Sequence, residues 1–347
     1  MYKLVAQTRT KQRGTKSEEE RIWLPRYQFD PIDLSGDRSL HLNTAGLRRK
    51  TGDRLEAMAS PEPSGKFDVR SLWDETRAGR GVKIAILDTG VDSDHPALEE
   101  SLSKKRSRDF TGSEAGYEDE AGHGTLVAGV IAAKKKRGGI IGIAPEAKLY
   151  VGKVIREQMA GGKIEDLSAG LKWAVENEVH VINISVGSRK NDKKVHQLIR
   201  RAWSQGIFVI CAAGNRGGKG LDYPAKLDEC LAIGAIDDYD QHWVDGEHAS
   251  AKGEELDIVA DGDEVESTHL DGEYGKASGT SMAAPFVTGL VALAMAKRFA
   301  QGIKASRSNL EYVWKRLLGT ANDLGPRGQD EKFGFGKIDP VKFIESI

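Results

Sequence analysis

A chain of 347 residues with 51 basic and 52 acidic side chains has no global field to draw it to nucleic acid or to an anionic membrane. Its 39% hydrophobic content can fill one large core or two modest ones, and 40 glycines beside only 7% aromatics suit an α/β protein with many tight turns. Two cysteines exclude a disulfide framework, no apolar run is read as a bilayer span, and Met1 to Arg9 lacks the apolar centre of a secretory signal, so a cytoplasmic protein is expected.

Residues 1–66 are expected to be a charged N-terminal extension, separate from a domain over 67–347. The extension is rich in Arg, Lys and Glu, with one short strand predicted at Lys3 to Thr8. Pro25, Pro31, Pro61 and Pro63 punctuate it, and Ser60-Pro61-Glu62-Pro63-Ser64-Gly65 reads as a linker. Two readings stand side by side: a partly disordered or surface-wrapping extension, and a regulatory segment lying over an active site.

From Phe67 the pattern changes. Val69 to Thr76 is predicted as a short helix, and Val82 to Leu87 is a β-branched apolar run that ends in Asp88-Thr89-Gly90. Similar runs recur at Leu149 to Val154, His180 to Ile184, Ile207 to Ala212, Leu231 to Ile236 and Leu256 to Val259. Between them, Ile164, Leu167, Leu171, Ala174 and Val175 mark one amphipathic helix, and Val195, Leu198, Ile199, Ala202 and Trp203 another. Apolar strands alternating with helices predict a parallel sheet covered on both faces, with active groups at the carboxyl ends of the strands. Asp88 and Ser185 both fall there. A long, almost wholly apolar helix is predicted to begin near Ser281, and Asn309 to Leu318 forms another helix closed by Gly319.

Serine acyl transfer needs a nucleophile, a base, an acid that holds the base in the right tautomer, and donors for the oxyanion. Ser281, in Gly279-Thr280-Ser281-Met282-Ala283-Ala284-Pro285, stands where unpaired helix N–H groups can bind an anion, although Gly-Thr-Ser is also ordinary cap chemistry. His123, in Gly122-His123-Gly124-Thr125, opens a second apolar helix and is the candidate base. Of the other histidines, His41, His196 and His269 look solvent-facing, His95 sits in a turn before Pro96, and His180, His242 and His248 read as strand-end or loop residues. Asp88 is the candidate acid, though an Asp after a strand is commonly a turn residue. Asn215, after Ala212-Ala213-Gly214, could offer its amide to an oxyanion or simply end a strand in a left-handed turn.

In the order Asp, His, Ser, these segments closely resemble the subtilisin-like serine proteases. The resemblance rests on Ile86-Leu87-Asp88-Thr89-Gly90-Val91-Asp92, His123-Gly124-Thr125, Val181-Ile182-Asn183-Ile184-Ser185, Ala212-Ala213-Gly214-Asn215 and Gly279 to Pro285, and it runs from about Phe67 to the C-terminus. It implies a three-layer α/β fold, a mostly parallel central sheet flanked by helices on both faces, and a serine endopeptidase of intracellular type. It also implies Asp88, His123 and Ser281 as the catalytic triad, and Asn215 with the Ser281 N–H as the oxyanion hole. Ser185-Val186-Gly187 would then be the edge on which an extended protein or peptide substrate adds as a strand, with Ala213 and Gly214 also lining the substrate site. Two other readings stand beside it: a maturase or transpeptidase dedicated to one partner peptide, and a non-catalytic interaction module.

Departures from the family pattern carry three further expectations. Ala97 follows His95-Pro96 where the family has a calcium ligand, and Lys134-Lys135-Lys136-Arg137-Gly138 replaces the loop that completes that site, so no calcium there and no other cofactor is expected. Asp222, just before Tyr223-Pro224, would sit in the specificity pocket and favour Arg or Lys before the cut, unless Arg216 repels such a substrate or pairs with Asp222 itself. Residues 1–66 would restrain activity until trimmed, with Leu47-Arg48-Arg49-Lys50 and Asp53-Arg54 as self-cleavage sites. Cys211 and Cys230 are expected to be buried thiols outside any metal site.

Overall fold

The computed structural model describes residues 68–134, 139–156, 162–218 and 220–347, together with the backbones of four N-terminal strands, Val5–Thr10, Glu19–Leu24, Ser39–Leu42 and Ala45–Arg49. The boundary expected at residues 66 and 67 lies outside the described residues.

The apolar runs form a seven-stranded sheet in the order Ile258–Asp261, Leu231–Ile236, Phe208–Ala212, Val181–Ile184, Lys83–Asp88, Lys148–Lys153 and Arg108–Asp109. Every pairing within it is parallel. Parallel strands need crossovers, and the crossovers cover the sheet on both sides. Alternate residues of one strand therefore enter different cores. Ile84 and Ile86 join one apolar cluster, packed with the helices His123–Ala132 and Thr280–Ala300, while Ala85 and Leu87 join another beneath Ile164–Glu176 and Lys193–Ser204. The three layers expected from the sequence are the observed architecture.

The Thr280–Ala300 helix is the axis of the first core. It is long and apolar enough to cross a bilayer by length and composition, which corrects the reading that no segment was, but 94% of its apolar window is buried inside the protein. Its job is packing. Gly289 allows that packing, since a β-carbon there would stand 2.4 Å from Ile143 Cβ. Pro285 inside the helix has no N–H and so leaves the carbonyl four residues earlier, that of Ser281, without its helical donor. The Ser185 hydroxyl fills the gap, donating to Ser281 O at 3.3 Å.

Element limits match those predicted, as at Leu231–Ile236, or differ by one or two residues, as for the last sheet strand, which is Ile258–Asp261 rather than Leu256 to Val259. The segment predicted as one helix at Val69 to Thr76 is a 3-10 turn, Val69–Leu72, continued by Trp73–Thr76. The N-terminal strand is Val5–Thr10, paired antiparallel with Glu19–Leu24. Two short polar strands, Val265–Thr268 and Tyr274–Ser278, form an antiparallel pair that no apolar run announced. Cys211 and Cys230 are buried free thiols, as expected.

Candidate active site

Asp88 is the last residue of its strand, so the sheet carries its carboxylate to the carboxyl-terminal edge. His123 opens the helix that packs on that strand, and its Nδ1 donates to Asp88 Oδ1 at 2.6 Å. Both side chains are fully buried, and Asp88 Oδ1 also accepts from the Thr89 N–H at 2.7 Å. The two segments pass very close. A β-carbon on Gly124 would lie 2.2 Å from Gly90 O, so only glycine lets the helix start there.

Two neighbours that sequence reasoning passed over hold this geometry. Asp119 Oδ1 accepts from Thr89 Oγ1, Ala121 N and Gly122 N, and its Oδ2 accepts from Thr125 N and Thr125 Oγ1, all within 3.0 Å. One carboxylate thus ties the turn after Asp88 to the start of the His123 helix. The cap position itself is held by Gly122, which makes no side-chain bond, so Asp119 acts from outside it and no cap pattern in the sequence marked it. Lys153, fully buried and paired in register with Asp88, donates to Glu118 O and Glu120 Oε2 at 2.7 Å each. That bond holds the Glu120 carboxyl below the usual carboxylate range.

Ser281 is the second residue of its helix, after Gly279 at φ 126°, and is fully buried. Asn215 lies three residues beyond the Phe208–Ala212 strand. Its Oδ1 accepts from both the N–H and the hydroxyl of Thr280 at 3.0 Å each, and the Thr280 hydroxyl accepts from Gly214 N at 3.1 Å. These bonds turn the amide so that Nδ2 faces away from Thr280. Among the described residues, Asn215 Nδ2, His123 Nε2 and Ser281 Oγ are buried and have no hydrogen-bond partner. These are the base nitrogen, the hydroxyl and the amide donor that serine acyl transfer would use, and no other side chain among the described residues competes for them. A second chain of bonds runs from Thr288 Oγ1 to Asn183 Oδ1 at 2.9 Å, from Asn183 Nδ2 to Ser185 Oγ at 3.0 Å, and on to Ser281 O.

Ser185, Val186, Gly187, Ala213 and Gly214 are all buried around this centre. Val186–Gly187 is a strand, but it carries a partner from the same chain. Leu42 and His41 pair antiparallel with Val186 and Gly187, while Leu40 and Ser39 pair with Gly162 and Lys163 on the other side. Beyond residues 43–44, which lie outside the described residues, Ala45 pairs with Ser278, Arg48 with Lys276 and Arg49 with Gly275. Lys50, Asp53 and Arg54 also lie outside them.

Asp222 is 1% exposed, and its Oδ1 accepts from Arg216 Nη2. The carboxylate that was expected to meet a substrate therefore meets an arginine first. Burial, then the nearby Arg189 charge, lowers the Arg216 pKa. At Ala97, the main-chain oxygen accepts from Lys134 N at 2.7 Å, and the Lys134 ammonium pairs with Glu146 at 3.0 Å and Glu100 at 3.5 Å. A methyl side chain and an ammonium do not fit a hard divalent cation. Residues 135–138 lie outside the described ones.

Among the other histidines, His95 is fully buried, with Nε2 donating to Glu273 O at 2.9 Å. His269 corrects its expected exposure: it is 5% exposed, because its ring packs where a Gly122 side chain would be. The side chain of His41 lies outside the described residues.

The family model described as the subtilase family matches residues 79–336. The chain is 39% identical over 286 residues to an intracellular serine protease of Paenibacillus polymyxa, covering 80% of this chain and 85% of that one. It is 37% identical over 240 residues to the major intracellular serine protease of Bacillus subtilis, covering 67% and 74%. With subtilisin E of Bacillus subtilis the identity is 36% over 286 residues, covering 81% and 70%.

Proposed function

Since the chain belongs to the subtilase family and is a serine protease, we propose that Asp88, His123 and Ser281 are its catalytic triad and that it acts as an endopeptidase. Ser281 Oγ attacks the scissile carbonyl while His123 Nε2 takes its proton and later gives it to the leaving amine. Asp88 holds the Nδ1 proton, so that Nε2 is the basic nitrogen, and stabilises the imidazolium that forms. Asn215 Nδ2 and the Ser281 N–H receive the oxyanion. What carries the reading is the buried 2.6 Å bond between His123 and Asp88, beside reacting atoms left open among the described residues. A fluorophosphonate probe should label the wild type and leave Ser281→Ala unlabelled. Equal labelling of the two would refute the assignment.

Residues 1–66 are proposed as an extension to a catalytic domain over 67–347, and the extension as its own first substrate. Support comes from the backbone register. Leu42 stands opposite Val186, next to Ser185, and Ala45 stands opposite Ser278, three residues before Ser281. A chain running from one pairing to the other uses both halves of a substrate cleft as an added strand would. The first cut is accordingly expected between Leu42 and Ala45 rather than at Leu47-Arg48-Arg49-Lys50 or Asp53-Arg54. N-terminal sequencing of wild type and Ser281→Ala checks this: the wild type should shorten to a start within 43–45 and gain peptide turnover, and the variant should stay intact. Equal lengths and equal turnover with and without the extension would refute it.

A cytoplasmic location is proposed from the relatives named as intracellular and from two buried free thiols. Calcium independence of the Ala97 region is proposed from the Lys134 ammonium that pairs there. The preference for Arg or Lys before the cut depends on how Asp222 and Arg216 share their charges.

A further inference from the structure

Asp222 is built into the wall between Ser185-Val186-Gly187 and the oxyanion Asn215. Its N–H donates to Ala213 O at 2.9 Å, and the next residue, Tyr223, exchanges two 2.8 Å backbone bonds with Ser188. The carboxylate packs against Gly214, where a β-carbon would stand 2.4 Å from Asp222 Oδ2. Gly214 immediately precedes Asn215, so this carboxylate lies next to the proposed oxyanion donor, where the peptidase reading puts the residue before the cut. A charge this deeply buried is strongly disfavoured without a counter-ion. Arg216, immediately after Asn215, supplies one. Its side chain is itself only 22% exposed, and its Nε is a buried donor without a partner among the described residues. Arg189, at the end of the same wall, adds a second positive charge close enough to disfavour the protonated state of Arg216.

We propose that Arg216 is a specificity-determining residue: a built-in cation that takes up Asp222, so that the pocket rejects Lys and Arg and accepts uncharged side chains. The inference rests on the peptidase reading above and names its substrate class. A basic substrate would have to displace an intramolecular partner, whose local concentration is far above any substrate's. Having displaced it, the new cation would lie beside two guanidinium groups and one carboxylate, which is repulsive on balance. An acidic side chain would have to give up its water beside the buried Asp222 carboxylate, while Arg216 is already engaged by Asp222 and the exposed Arg189 is screened by solvent, so it too is disfavoured. Uncharged side chains leave the pair intact and lose nothing. The acid that seemed to invite arginine is, with its partner, a neutral wall.

Peptides differing only in Arg, Leu, Gln or Glu before the cut test this, with active sites counted by fluorophosphonate titration so that misfolded protein does not enter the rates. Wild type should cleave Leu and Gln faster than Arg and Glu. Arg216→Ala should raise the Arg-to-Leu ratio of kcat/KM at least about tenfold, the scale of a charge-assisted bond. Asp222→Asn should move the Glu-to-Leu ratio upward by a similar factor. Wild type preferring Arg, or an Arg-to-Leu ratio unchanged in Arg216→Ala, overturns the inference while leaving the peptidase reading standing. Absence of both labelling and cleavage in the wild type would overturn the two together.

Discussion

Removing one hydroxyl beside Ser281 isolates how the oxyanion donor is positioned. In Thr280→Val the side chain keeps its shape but loses the hydroxyl that donates to Asn215 Oδ1 and accepts from Gly214 N. The Thr280 N–H still holds Asn215 Oδ1 at 3.0 Å, so the amide keeps one of its two anchors. A neutral hydrogen bond contributes on the order of 1 kcal/mol, which predicts a fall in kcat of about fivefold with KM unchanged. Losing the Asn215 amide outright, as in Asn215→Ala, should remove about 3–4 kcal/mol of transition-state stabilisation, a magnitude known from subtilisins themselves and not obtained from this geometry. The two variants should therefore differ by more than about tenfold in kcat. Thr280→Ser restores the hydroxyl and should recover most of the loss. Gly214 N–H is buried, so Thr280→Val should also lower stability by about 1–3 kcal/mol, or roughly 2–4 °C of melting temperature per kcal/mol. Steady-state kinetics on one chromogenic peptide, with melting curves for each variant, supply every quantity. If Thr280→Val costs as much as Asn215→Ala, or nothing in kcat, the amide is not held in the way described.

Acid should weaken the fold through two histidines. Burial, helped by Lys83, lowers His180 to about 4, and burial with Lys332 and Lys252 lowers His242 to about 4. Their folded affinity for protons lies below the ordinary 6.5, so the unfolded chain binds protons first and stability is lost from about pH 6.5 down to about 4. Urea denaturation between pH 7.5 and 4.5 should show a shallower decline in His180→Gln, and equal slopes would count against the account. Asp257 runs the other way: burial raises its carboxyl to about 8, so its ionisation removes stability as pH rises from about 4 to about 8. Asp257→Asn should thus gain more melting temperature over wild type at pH 9 than at pH 5. Gly124→Ala should abolish peptidase activity and lower the melting temperature, because its β-carbon would stand 2.2 Å from Gly90 O, a backbone atom that cannot swing aside; near-normal turnover would show that the helix start can shift. A chelator should leave the melting temperature unchanged, and a drop that calcium restores would refute the reading of Lys134.

Features that depend on neighbours in sequence are legible in the sequence itself. Apolar runs of strand length announce most of the sheet strands, since a strand buried on both faces must be apolar throughout. Asp88 stands out as a charge ending such a run, His123 as a ring between two glycines at a helix start, and Ser281 as a hydroxyl at the head of a helix buried along most of its length. These are local patterns, set by the backbone conformation that each requires.

The rest needs the folded chain, because its partners are far apart or carry no period. Asn215 and Thr280 are 65 residues apart, and Ser185 reaches Ser281 across 96, only because Pro285 leaves that carbonyl open. The hairpin of Val265–Thr268 with Tyr274–Ser278 is short and polar, so alternation could not mark it. For Asp222 the sequence allows either a substrate cation or Arg216 as its partner, and the choice falls to the walls that bury both. The strands Ser39–Leu42 and Ala45–Arg49 pair through backbone groups, which every residue carries, so nothing in their side-chain pattern could name Val186–Gly187 and Tyr274–Ser278 as the edges they occupy.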